Sequence, residues 1–123
     1  MVSTLRVLVI EDDDDYQRLI DLALGGQGYE VRAAADGKTG IELVDSFKPN
    51  LIFLDVQMPV MSGEAFLEVY LRRPAPRAPV IAMTASSNLD NMIEMGVDDF
   101  ITKPFDIDTL LAYAKRYIRP VRV

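Results

Sequence analysis

The stretch LRVLVIEDDDD, Leu5 to Asp15, decides how this chain is read. An apolar run long enough for one strand, Leu5 to Ile10, ends on five consecutive acids. Tyr16, Leu19, Ile20, Ala23 and Leu24 then fall at i, i+3, i+4, i+7 and i+8, the stripe of an amphipathic helix, and Gly25, Gly26 and Gly28 stop it. The unit is a strand, an acidic turn and a helix.

The same unit recurs. Further apolar runs are YEVRAA (Tyr29 to Ala34), LIFLD (Leu51 to Asp55), PVIAMT (Pro79 to Thr84) and the weaker DFIT (Asp99 to Thr102). LIFL and VIAM are continuously apolar, which predicts central strands buried on both faces. Helical stripes separate the runs. Gly40, Leu43, Val44 and Phe47 form one, ended by Pro49; Phe66, Val69 and Tyr70 form another, starting near Ser62 and Gly63. Leu89, Met92 and Ile93 suggest a short fourth helix closed by Gly96. Ile107, Leu110, Leu111, Ala114, Tyr117 and Ile118 give the last, with Asp106 as its N-cap. Alternation of this kind predicts an α/β fold, (βα)5, with a five-stranded parallel sheet and helices on both faces. The 123 residues fit one domain, 1–123, and the proline-rich RRPAPRAPV (Arg72 to Val80) reads as a loop within it.

Composition narrows the function classes. Nineteen acids against thirteen bases give a formal charge of −6, which disfavours direct contact with nucleic acid or an anionic membrane. Without cysteine or histidine there is no disulfide, no thiolate or imidazole zinc site and no histidine-based triad. Charge arrives too early at the N-terminus for a signal peptide, and no apolar stretch approaches a membrane span, so a soluble cytoplasmic protein is expected.

Parallel sheets of this kind bind ligands beyond the carboxyl ends of their strands. That rule selects Glu11 and Asp12 after the first run, Asp55 ending the third, Thr84 ending the fourth and Lys103 after the fifth. If the first and third strands are neighbours, Glu11, Asp12 and Asp55 converge, and their mutual repulsion calls for a cation. A hard divalent ion suits oxygen donors: Mg²⁺, with Mn²⁺ as the alternative. An anion lying between the metal, Lys103 and the Thr84 hydroxyl is best read as a phosphoryl group, with Asp55 the nucleophile that accepts it. Asp13, Asp14 and Asp15 are assigned mainly to the positive end of the helix dipole, and Met58 and Met61 to packing.

With those residues in hand, the chain resembles the receiver domain of bacterial two-component response regulators, in the chemotaxis-regulator style. The matching pieces are VLVIEDD, LIFLDVQMPVMSG, MTA and DDFITKPF, in that order, and they span nearly the whole chain. The resemblance implies the flavodoxin-like strand order 2-1-3-4-5. It implies Glu11 and Asp12 as the acidic pair, Asp55 as phosphoacceptor, Thr84 as the switch hydroxyl, Lys103 as the lysine, and the backbone carbonyl of Gln57 as a metal ligand. Phe100 takes the place of an aromatic switch residue and Pro104 that of a proline after a cis bond. Gln57 and Ser86 flank the acceptor where the family tunes phosphate lifetime. Phosphate would come from a sensor histidine kinase or a histidine phosphotransfer protein, and an output protein or domain would read the change. Self-phosphorylation and slow self-dephosphorylation are then the only chemistry, so the chain is no conventional enzyme. In one respect it departs from the family: ASSNLDNMIEM, between Thr84 and Gly96, is about three residues short, close to one helical turn. The fourth helix is therefore expected to be short or partly unwound.

Competing readings fail on residue content or remain open to test. An EF-hand loop counted from Asp12 would need Gly and Glu where Gln17 and Ala23 stand. A flavin site would need a Gly, Ser or Thr cradle where this chain has carboxylates. A carboxylate-dependent phosphatase would turn over phosphoesters. The strongest alternative is a receiver-like interaction module that works without phosphorylation.

Overall fold

In a computed structural model, residues 4–56, 63–85 and 94–119 are described. The elements are β1 (Arg6–Ile10), α1 (Asp14–Gly25), β2 (Glu30–Ala34), α2 (Gly37–Phe47), β3 (Leu51–Asp55), α3 (Gly63–Tyr70), β4 (Val80–Thr84), β5 (Asp99–Thr102) and α4 (Ile107–Tyr117). All strand pairs are parallel, in the order β2-β1-β3-β4-β5. That is the flavodoxin-like order, and the alternation of strands and helices read from the sequence holds from β1 to β4 and again from β5 to α4. Strands β1, β2 and β4 each start one residue later than their apolar runs suggest. Residues 86–93, which carry Leu89, Met92 and Ile93 of the expected fourth helix, lie outside the described residues, as do Gln57, Met58, Met61, Ser62 and Ser86.

Side chains alternate across the pleat, and each strand therefore feeds two cores. Leu8 and Ile10 of β1, Ile52 and Leu54 of β3, and Ala82 of β4 pack beneath Phe66, Leu67 and Tyr70 of α3, with Leu43, Val44 and Phe47 of α2 at the margin. Val7 and Val9, Leu51 and Phe53, Ile81 and Met83 face the other way, against Ile20 and Leu24 of α1 and Leu110 and Ala114 of α4. β3 and β4 are buried along their full length, as continuous apolarity predicts. In α3 the buried face falls on Leu67 and not Val69, which is half-buried, and Ile107 at the start of α4 is exposed.

Three aspartates begin helices. Asp13, Asp36 and Asp106 each have extended backbone and accept from the amide of Asp15, Thr39 or Thr109, every bond 2.8 Å long. Such caps satisfy amides that the first helical turn leaves without a partner. Asp106 was expected in this role. Asp13 was not: the acidic run contributes one cap, and only Asp14 and Asp15 lie in the first turn near the helix dipole.

Register then positions the chemistry. Ile10 pairs with Leu54, so Glu11 leaves β1 beside Asp55, the last residue of β3. Asp55 pairs with Met83 and Thr84 with Thr102, and Lys103 follows directly. Four strand ends thus open on one edge of the sheet.

Candidate phosphoacceptor site

Glu11, Asp12 and Asp55 come together as expected: each offers a carboxylate oxygen, and the three atoms lie within 4.8 Å of one another. Glu11 and Asp55 are buried while Asp12 is exposed, so the cluster is walled by the sheet and open on one side. Lys103 reaches in from the loop after β5. Its Nζ bonds the Glu11 carboxylate and lies 3.6 Å from Asp55 Oδ2, with 15% of the side chain exposed. Thr84 is fully buried at the end of β4, and the Lys103 amide donates to its carbonyl at 2.8 Å. The Lys103–Pro104 bond is cis, as the resemblance implied; so is Ala75–Pro76. Phe100 is half-buried in the core on the α3 side.

The electrostatics follow from crowding. Burial, then the Asp55 side chain beside it, push the Glu11 carboxyl up from 4.5 to about 7; the bonds from Lys103 and from the Asp13 amide, 3.2 Å from Oε2, pull the other way without offsetting this. For Lys103, burial would lower the ammonium, but the Glu11 bond and the Asp55 charge outweigh it and hold it above its ordinary value. One lysine thus partners two buried carboxylates and leaves negative charge in excess. A cluster of hard oxygen donors with surplus charge and an open side fits a divalent cation such as Mg²⁺, for which Glu11, Asp12 and Asp55 would be the ligands.

Two residues support the site without having been singled out for it. Gln17 Nε2 donates to the Glu11 carbonyl and lies 3.5 Å from that of Ala34, so α1 clamps the end of β1. Tyr16, which the periodicity places in the apolar stripe, lays its ring over Lys103 Nζ, 4.3 Å from the centroid. The position of Tyr16 one residue after three further acids was the only sequence signal for such a role.

A family model described as the response regulator receiver domain matches residues 7–115. The chain belongs to that family. It is a receiver domain of the bacterial two-component type, and its acidic cluster of Glu11, Asp12 and Asp55 is consistent with a receiver active site. The receiver is 32% identical over 122 residues to the regulatory protein AtoC of Escherichia coli, covering 97% of this chain and 26% of that protein. It is 35% identical over 121 residues to the transcriptional regulatory protein PrrA of Mycobacterium leprae, covering 96% and 52%. The receiver thus spans about half, or less, of these curated relatives. Among solved structures, the chemotaxis response regulator CheY4 of Vibrio cholerae superposes with a TM-score of 0.87 at 27% identity, covering 94% of this chain and 100% of that one. The signal receiver domain of a histidine kinase from Syntrophus aciditrophicus gives 0.83 at 30% identity, covering 93% and 89%.

Proposed function

We propose that this receiver is a phosphorylation-dependent signalling switch in which Asp55 accepts a phosphoryl group from a phosphohistidine of a partner kinase or phosphotransfer protein. The observation that carries this reading is the convergence of Glu11, Asp12 and Asp55 with Lys103 on one open edge of the sheet. An Asp55 carboxylate oxygen bonds to phosphorus as the phosphorus–nitrogen bond breaks, and the electron pair leaves with the imidazole nitrogen, which takes its proton from solvent. Mg²⁺ bound by the three carboxylates supplies charge neutralisation for the phosphoryl oxygens. Lys103 meets one of those oxygens and the Thr84 hydroxyl donates to another. The product carries a charge of roughly −1.5 to −2 where the acceptor carried −1. Phe100, two residues before the end of β5, follows Thr84 inward and changes the surface that an output partner reads. The backbone carbonyl of Gln57, which lies outside the described residues, would be a further metal ligand by the family resemblance.

Residues 1–123 act in this reading as one domain in the cytoplasm, without touching nucleic acid or membrane; the net charge of −6 supports that. Incubation with Mg²⁺ and acetyl phosphate, read by intact mass, tests the chemistry. Wild type gains one phosphoryl group and Asp55→Asn gains none. Failure of wild type to form the adduct would favour the phosphorylation-independent interaction module, and catalytic turnover of phosphoesters would favour a phosphatase.

A further inference from the structure

The ammonium of Lys103 has two kinds of partner. It meets the carboxylates of Glu11 and Asp55. It also lies over the ring of Tyr16, 4.3 Å from its centroid. That ring is itself braced: its centroid lies 5.5 Å from that of Phe105, tilted by 49°, and its backbone amide donates to the Asp13 cap at 3.2 Å. Tyr16 therefore joins the first turn of α1 to both ends of the Lys103–Pro104–Phe105 segment.

We propose that Tyr16 is a positioning residue for phosphoryl transfer, its π face keeping the Lys103 ammonium beside Asp55 when the carboxylates are engaged elsewhere. This rests on the function proposed above. A lysine on a four-carbon stem has many rotamers, and ordering it costs entropy. The carboxylates supply that order only while their charge is available to the lysine. A divalent cation taken up by Glu11, Asp12 and Asp55 neutralises them and repels the ammonium. The ring contact survives this change, because it depends on the fixed quadrupole of an aromatic face and not on the charge of a metal-binding carboxylate. The same face shields Nζ from water, which strengthens its attraction for an incoming phosphoryl oxygen. Simple packing against Phe105 would be served equally by a leucine; attraction for a cation would not.

The test compares Tyr16→Phe, which keeps the π face, with Tyr16→Leu, which keeps apolar bulk. With Mg²⁺ and acetyl phosphate, the second-order rate of adduct formation stays near wild type in the first variant and drops roughly three- to tenfold in the second, the range of a partly desolvated cation–π contact. In a Lys103→Met background, Tyr16→Leu has no further effect. Independently of phosphorylation, the Lys103 Cε protons carry an upfield ring-current shift with EDTA and with Mg²⁺, kept in Tyr16→Phe and lost in Tyr16→Leu. Equal rates for the two variants, a Tyr16→Leu defect that persists without the lysine, or a Lys103 signal at the random-coil position with Mg²⁺ each overturn the inference alone. Absence of any adduct on wild type overturns the proposed function and this inference with it.

Discussion

The backbone amide of Lys103 donates to the carbonyl of Thr84 at 2.8 Å, one step beyond the Thr84–Thr102 register pair. Two side chains assigned to the phosphoryl group are therefore carried by neighbouring rungs of one β4–β5 ladder, and the Thr84 main chain holds the backbone of Lys103. Thr84→Val keeps the branched shape and the ladder while removing the oxygen. Its stability falls by no more than about 1–2 kcal/mol, the usual range for a lost buried hydrogen bond, measured as the urea midpoint. Acetyl phosphate labelling of Asp55 slows markedly, and Thr84→Ser restores it. A Thr84→Val protein that labels at the wild-type rate would remove the hydroxyl from the site.

Glu11 makes the metal-free protein sensitive to pH in a defined direction. Its carboxyl titrates at about 7 when folded against 4.5 for the ordinary group, so the folded state binds the proton more tightly than the unfolded chain does. Stability from this group is then fully present below about 4.5 and is lost as pH rises towards 7. In EDTA, the stability of wild type relative to Glu11→Gln falls across that window. Since the metal requires the ionised carboxyl, the rise in melting temperature on adding Mg²⁺ is larger at pH 8 than at pH 5.5. Parallel stability curves for the two proteins would contradict the assignment of the proton to Glu11.

Within EDDDD, neighbouring aspartates do different work, and substitution separates them. Asp13 accepts from two amides at the start of α1, at 2.8 and 3.2 Å, whereas Asp12 is exposed and belongs to the carboxylate cluster. Asp13→Ala costs about 1 kcal/mol of stability and leaves the Mg²⁺ affinity within a few-fold of wild type. Asp12→Ala leaves stability nearly unchanged, or raises it by relieving repulsion, and weakens Mg²⁺ binding by tenfold or more, read by titration calorimetry. Equal effects of the two substitutions on metal affinity would show that the run acts as a diffuse charge and not as a divided one.

Much of this was legible before any coordinates, for identifiable reasons. LIFL and VIAM announce strands covered on both faces because only such strands tolerate uninterrupted apolarity, and the rule that parallel sheets act at their carboxyl ends then picks Glu11, Asp12, Asp55, Thr84 and Lys103. Less was legible where neighbours in space are remote in sequence. Tyr16 satisfies helical periodicity, and periodicity cannot tell an apolar partner from a lysine arriving on the loop after β5. The cap was hidden by its surroundings: in a run of like acids, which one caps depends on where the chain turns from extended to helical, and that is set by the packing of α1 on the sheet. In the stripe of α3, Phe66 and Tyr70 are buried as read and only Val69 gives way to Leu67, because eight residues offer barely two turns from which to fix a phase.

Gly63, the first residue of α3, lies so close to the end of β3 that a β-carbon there would meet the Val56 Cα at 2.5 Å and its Cβ and Cγ1 at 3.0 Å. Backbone cannot yield as a side-chain tip can, so Gly63→Ala must move α3 away from the sheet or displace Val56. Either movement acts next to Asp55, whose neighbour Val56 is tied back to β4 by the hydrogen bond its amide donates to the Met83 carbonyl at 3.3 Å. The substitution costs about 1–3 kcal/mol, the range for overpacking, and it also slows phosphorylation because the acceptor moves with its strand end. Gly40→Ala is the control. Its β-carbon would meet the flexible end of Ile10, Cδ1 at 2.6 Å, which can rotate aside, so stability falls less and the labelling rate of Asp55 is closer to wild type. If Gly63→Ala lost stability yet labelled as fast as wild type, the close approach of α3 would be shown to serve packing alone.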